Sequence, residues 1–278
     1  VLPIRDINPT RHFAWVTLGL ILANVAIFLF WQPTLTGGGA QQTQQAQQAF
    51  FLCHAEIPYE VSHQTNLAGG GPGALQEIEN DYGVGPGEAA DLQAALHDTC
   101  PNKSWLLSIF VSMFLHGGWV HIAGNMLFLW IFGNNVEDQL GRLRYIVFYL
   151  IGGLAAAGLE LAVSPSSAIP SLGASGAIAA ILGSYLVMFP RARVLTLIFF
   201  FIPVRLPAVI VLGAWFVLQL FSGVGQLGTQ LNGSGVAYWA HIGGFAFGYV
   251  ATRLFGLGPP RVAAPPPPPP HPPVGWNY

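Results

Sequence analysis

Six stretches of this chain, at roughly 14–31, 118–136, 145–163, 172–189, 206–222 and 236–255, stay apolar for about 17 to 20 residues each. At 1.5 Å per residue that is the length of a helix crossing the hydrocarbon of a bilayer. In lipid a backbone must satisfy its own N–H and C=O groups, so runs of this kind admit helices and little else. Composition points the same way: 53% of the 278 residues are apolar and 8% charged, whereas a soluble domain carries about a quarter charged. The expected fold is all-α, a polytopic membrane bundle of six transmembrane helices. Two further apolar stretches are too short to span. Residues 105–115 read as a helix in the interface or dipping halfway in. Residues 194–202 read either as interfacial or as an extension of the fifth span across a kink at Pro203.

The basic residues set the direction. Arg5 and Arg11 precede the first span, Arg142 and Arg144 separate the second from the third, and Arg191, Arg193 and Arg205 separate the fourth from the fifth. Arg253 and Arg261 end the sixth, and Lys103 stands alone on the opposite side. The positive-inside rule then predicts cytoplasmic termini in a plasma-membrane protein. No cleavable leader is expected, because the first apolar run is long and lacks a small-residue cleavage site. The domains expected are a cytoplasmic segment 1–13, a membrane core 14–256 containing an extracytoplasmic loop 32–104, and a cytoplasmic tail 257–278. The loop opens with a Gly/Gln-rich stretch from Gly37 to Gln48, disordered or weakly helical by composition. Cys53 and Cys100, the chain's two cysteines, both lie in this loop, as a disulfide or as two free thiols. The tail contains the run Pro265–Pro270, which reads as a flexible polyproline segment. With a net charge of −2, no basic block and no zinc-ligand spacing, nucleic acid, metal and cofactor are not expected partners.

Polar side chains inside apolar spans are costly and are functional candidates by default. The second span carries His121 and Asn125, one turn apart on one face. The fourth opens with Gly173-Ala174-Ser175-Gly176 and the sixth with Ala240-His241-Ile242-Gly243-Gly244. All three spans enter from the loop side, so these groups share a depth on the order of 5–10 Å below that boundary. A serine in such a helix usually bonds back to its own backbone, and a lone buried histidine is usually structural. Together they match different chemistry. An imidazole can activate a serine hydroxyl, and Asn125, His121 and the first N–H groups of the Ser175 helix could hold an oxyanion. Small faces on span six (Gly244, Gly248) and span four (Gly176, Ala180, Gly183) would let the two backbones approach closely enough to join His241 to Ser175.

These motifs resemble the rhomboid intramembrane serine proteases over about residues 105–255. The likeness rests on His116-Gly117-Gly118-Trp119-Val120-His121 followed by Asn125, and on Gly133…Glu137…Gly141-Arg142. It rests also on Gly173-Ala174-Ser175-Gly176, and on Ala240-His241 through Gly248. The resemblance implies Ser175 as nucleophile, His241 as its base, and His121 and Asn125 as oxyanion donors. It implies a structural or hydration role for His116, and cleavage of transmembrane substrates beside a small residue. Many rhomboids place an aromatic residue four positions after the serine, where this chain has Ala179. Glu137 and Asp138 read as an ion-pair cluster with Arg142 and Arg144, and the Gly-rich loop 223–235 as a gate. The rival readings are a catalytically inactive, client-binding relative, and a transporter, for which neither inverted repeats nor intramembrane charges are evident.

Overall fold

The computed structural model describes residues 2–34, 40–71, 73–199, 201–228 and 237–257. Its centre is a helix with no polar face. Ser175–Met188 (α10) is buried along nearly its whole length, and Arg142–Val163 (α9) and Tyr238–Leu254 (α12) pack around it. Glycines set the spacing. A Cβ at Gly244 would collide with the carbonyl of Gly176, one at Gly248 with that of Ala180, and one at Gly183 with that of Phe245. The α10 and α12 backbones therefore touch along two turns, joined by dispersion contacts and by a buried hydrogen bond from Thr252 Oγ1 to Ser184 Oγ at 2.7 Å.

The remaining helices surround this group. They are Trp15–Phe30 (α1) and Ala40–His54 (α2), then Pro58–His63 (α3), Ala74–Tyr82 (α4) and Pro86–Thr99 (α5). Next come Trp105–Ser112 (α6), Trp119–Phe128 (α7) and Asn134–Leu140 (α8), and later Ala208–Gly228 (α11). A π-helical turn, Leu129–Gly133, joins α7 to α8. Among the described residues, two helices, Arg142–Val163 and Ala208–Gly225, are long and apolar enough to cross a membrane. Trp15–Phe30 and Ser175–Met188 are apolar but shorter.

Three expectations are corrected. The fold is mostly helical but not all-α. Rather than extending the fifth span as a helix, residues 194–198 and Ile202 lie in two paired antiparallel strands, Arg193–Ile198 (β2) and Ile202–Pro207 (β3), and Leu2–Ile7 (β1) adds a third antiparallel strand beside β2. The run Arg193-Val-Leu-Thr-Leu-Ile198 has the β-branched character and alternating burial of a strand. Asp6 fixes the sheet to the helices by accepting from Asn135 Nδ2 (2.6 Å) and Tyr185 Oη (3.0 Å). Secondly, Glu137 and Asp138 face the start of α1 rather than Arg142 and Arg144. Glu137 accepts from the backbone N–H groups of Val16 and Thr17, serving as the N-terminal cap that α1 itself lacks. Asp138 pairs with Arg11 at 3.0 Å and accepts from the His12 N–H. A carboxylate finds free N–H donors at a helix start more readily than it finds cations on its own turn. Thirdly, residues 223–228 of the expected gate loop continue α11. Its residues 229–236, like Gly37–Gly39 and the tail from 258 onward, lie outside the described residues.

The long loop is a small helical domain. Leu52, Ile57, Tyr59, Leu67, Ile78 and Leu96 form its core. The Gly/Gln-rich stretch enters α2 at Ala40. Cys53 and Cys100 form a disulfide with Cα atoms 5.6 Å apart, and Lys103 Nζ meets Glu60 at 2.6 Å in an ion pair that is almost wholly buried.

Candidate active site

The first N–H groups of α10 have no acceptor within the helix, and Ser175 stands there as the first residue. Gly173, just before it, has φ +127, and a Cβ there would lie 2.9 Å from His121 Nε2, so both backbone and space require glycine. The Gly173 N–H is held by Ser112 O at 2.8 Å. One turn into α12, His241 places Nε2 2.8 Å from Ser175 Oγ. The glycine contacts described above bring these two helix starts within hydrogen-bond reach. Gly176 contributes toward α9 as well, since a Cβ there would meet Ala156 at 2.6 Å.

Two side chains of α7 face the same space. Asn125 is 8% exposed and its Nδ2 has no hydrogen-bond partner among the described residues, a buried donor open to an acceptor. His121 Nδ1 accepts from the Gly117 N–H at 3.2 Å. That acceptance places its proton on Nε2, the nitrogen nearest Gly173. Behind it His116 is fully buried, edge-on to His121 with ring centroids 5.2 Å apart. Its backbone is held in both directions by the Gln32 carboxamide at 2.9 Å. Ser175, His241, His121 and Asn125 all line one cavity of about 960 Å³. Its opposite wall comes from the loop domain: Gln44, Gln47, Gln48 and Phe51 of α2, with Asp81 and Tyr82. Among the described residues, no three His, Cys, Asp or Glu side chains gather as metal ligands would.

Three contributors escaped sequence reasoning. Gln219 Oε1 of α11 lies 2.7 Å from His241 Nδ1. Trp215, one turn earlier, tilts its ring toward His241 at 5.8 Å between centroids. Gln219 was legible as the lone carboxamide amid apolar residues of the fifth apolar run. Glu160 is the third, a charge inside an apolar run where none was noted. It accepts from the Ala240 N–H at 3.0 Å and so caps the helix that carries His241. The absence of an aromatic at Ala179 also has a local cause. Ala179 is fully buried against Gly244, where the two backbones leave no room for a ring.

A Rhomboid domain model matches residues 103–257. The chain is 32% identical over 146 residues to Rhomboid protein 1, mitochondrial, of Saccharomyces cerevisiae, and 28% identical over 149 residues to Presenilin-associated rhomboid-like protein A, mitochondrial, of Danio rerio. It is 32% identical over 143 residues to Rhomboid protease GluP of Bacillus subtilis. These matches take in 51%, 53% and 51% of the chain, and it spans only 40%, 37% and 25% of the respective relatives. The expected placement in the plasma membrane with cytoplasmic termini is overturned by the yeast and zebrafish relatives, both mitochondrial by name. Charge asymmetry orients a chain across whichever membrane receives it and carries no address.

Proposed function

Because the chain belongs to the rhomboid family, we propose that it is an intramembrane serine endopeptidase with Ser175 as nucleophile and His241 as general base. The observation carrying this reading is the 2.8 Å contact between Ser175 Oγ and His241 Nε2 on the wall of a large cavity. As Oγ bonds to a substrate carbonyl carbon, its proton passes to Nε2. The oxyanion is received by Asn125 Nδ2, by His121 Nε2–H and by the N–H groups opening α10. His241 then protonates the departing amine, and water releases the acyl group from Ser175.

The apolar runs are six membrane crossings in this reading, with the β-sheet on the basic side and the helical domain on the other. Segment 1–13 and tail 257–278 flank a core of 14–256. The substrates are single-span membrane proteins, cut at a small residue near the loop-side boundary. A helical substrate hides its carbonyls within its own hydrogen bonds, so it unwinds locally, and a nearby Gly or Pro lowers that cost. The test is cleavage of single-span substrates by the reconstituted protein, with products mapped by mass spectrometry. Ser175→Ala and His241→Ala each abolish turnover, since nucleophile and base act as one unit. Cuts at the far end of the span, or beside bulky residues, contradict the substrate assignment.

A further inference from the structure

An imidazole that takes a proton at Nε2 carries its own proton at Nδ1, and that N–H needs an acceptor once water is excluded. Gln219 Oε1 stands 2.7 Å from Nδ1 while Nε2 stands 2.8 Å from Ser175 Oγ. A carboxamide oxygen only accepts, so this contact fixes the His241 proton on Nδ1 and leaves the Nε2 lone pair for the serine. The reverse amide orientation would donate to Nδ1, move the proton to Nε2 and disable the base. Gln219 stands in an otherwise apolar segment, Ala208-Val-Ile-Val-Leu-Gly-Ala-Trp-Phe-Val-Leu-Gln219-Leu220. A carboxamide there is unfavourable unless paired, and His241 is its partner.

We propose that Gln219 is the positioning residue of this site, setting the tautomer and orientation of His241; the proposal rests on the serine-protease reading above. During attack the Oγ proton moves to Nε2, and the imidazolium that forms keeps its Nδ1–H on Gln219 Oε1. The Nε2 proton then leaves with the amine. Gln219 sits on α11, whereas nucleophile and base sit on α10 and α12, so the constellation closes only when α11 is seated beside α12. Trp215 adds a ring from the same face of α11, one turn away. This pair takes over the orienting work that Ala179, hard against Gly244, has no room to do.

The experiment uses the full chain in proteoliposomes, a single-span substrate and a pH series, for wild type, Ser175→Ala, Gln219→Leu and Gln219→Glu. The groups around His241 are Ser175 from α10, Gln219 and Trp215 from α11, and Tyr238 on its own helix. His121 from α7 and Asp81 from α4 line the same cavity. Gln219→Leu lowers kcat about tenfold to a hundredfold, as loss of an outer partner does for metal-bound imidazoles, with KM within about twofold. Gln219→Glu places a carboxylate against the imidazolium, so the acid limb of the kcat/KM profile moves up by about one pH unit. Loss of packing alone would not move that limb. An acid limb that stays in place in Gln219→Glu overturns the proposal even where Gln219→Leu fails to fold, and so does a Gln219→Leu enzyme with wild-type kcat. Turnover by Ser175→Ala would instead sink the underlying protease reading.

Discussion

The helix pair that carries Ser175 and His241 and the small domain facing it are held together by opposite means. Between α10 and α12 no charge takes part, and glycines let carbonyls of one helix touch the backbone of the other. The loop domain has short helices and a small apolar core, fastened by the Cys53–Cys100 disulfide and the buried Lys103–Glu60 pair. Each device suits its proposed solvent. In lipid, apolar burial between helices gains nothing over contact with lipid tails, so close backbone packing holds the helices. In water, a domain of this size buries too little apolar surface to be secure without covalent or ionic staples. The two regions meet at Ser112. Its carbonyl holds Gly173 close to Ser175, and its hydroxyl accepts from the Glu56 N–H of the loop domain.

If this contrast is right, damage to the packed pair removes catalysis, and damage to the staples loosens the loop domain. Among changes that leave Ser175 and His241 in place, the largest effect is expected from Gly248→Val, whose Cβ would collide with the backbone at Ala180. A misplacement of about 1 Å between nucleophile and base costs on the order of a hundredfold in turnover. A Gly248→Val enzyme with kcat near wild type would remove the close approach from the account.

A middle effect is expected from Cys53→Ser with Cys100→Ser. The bond closes a loop with a sequence separation of 47, and chain entropy gives such a closure about 4 kcal/mol. Hydrogen exchange in residues 58–99 should quicken markedly. The α2 wall of the cavity should loosen with it, raising KM a fewfold while kcat stays within about twofold. Equal loss of kcat would mean that the two regions are one unit.

The smallest effect concerns Glu56, 3% exposed, whose strand-like bridge to Ser171 ties the domain to the approach of Ser175. Burial, and then the neighbouring Glu160 carboxylate, push its carboxyl up to about 7, against the opposing pull of Lys103. A carboxyl raised on folding contributes stability that is complete below its unfolded value near 4.5 and is lost as pH rises toward 7. Loop-domain protection should therefore fall between those values, by on the order of 3 kcal/mol at most. Glu56→Gln should flatten much of that slope. Glu60, also raised by burial, leaves a residual slope of the same sign. A slope unchanged in Glu56→Gln, or one that rises with pH, would contradict this linkage.

The legible part of the molecule was the part where polarity is rare. Ser175, His241, His121 and Asn125 stood out because their surroundings are apolar, and the structure brings all four to one cavity. Gln219 and Glu160 met the same criterion and were passed over, because one meets His241 across helices and the other caps a helix 80 residues away. The strand at Arg193–Ile198 was not legible, and an extension of the fifth span could be entertained there, because a short apolar run has no length with which to declare helix or strand, and this one pairs with Leu2–Ile7, almost 190 residues distant. Glu56 was hidden for the reverse reason: a carboxylate among many loop carboxylates reads as solvated. Tertiary partners, which no local pattern encodes, account for each of these.

The central claim is that one serine, activated by one histidine across a glycine-packed helix pair, performs the cleavage. Its most direct measurement is turnover of a single-span substrate by wild type and Ser175→Ala in proteoliposomes, with both product fragments followed by mass spectrometry. The account predicts paired fragments from wild type and none from Ser175→Ala at equal loading. The same fragments from Ser175→Ala would contradict it.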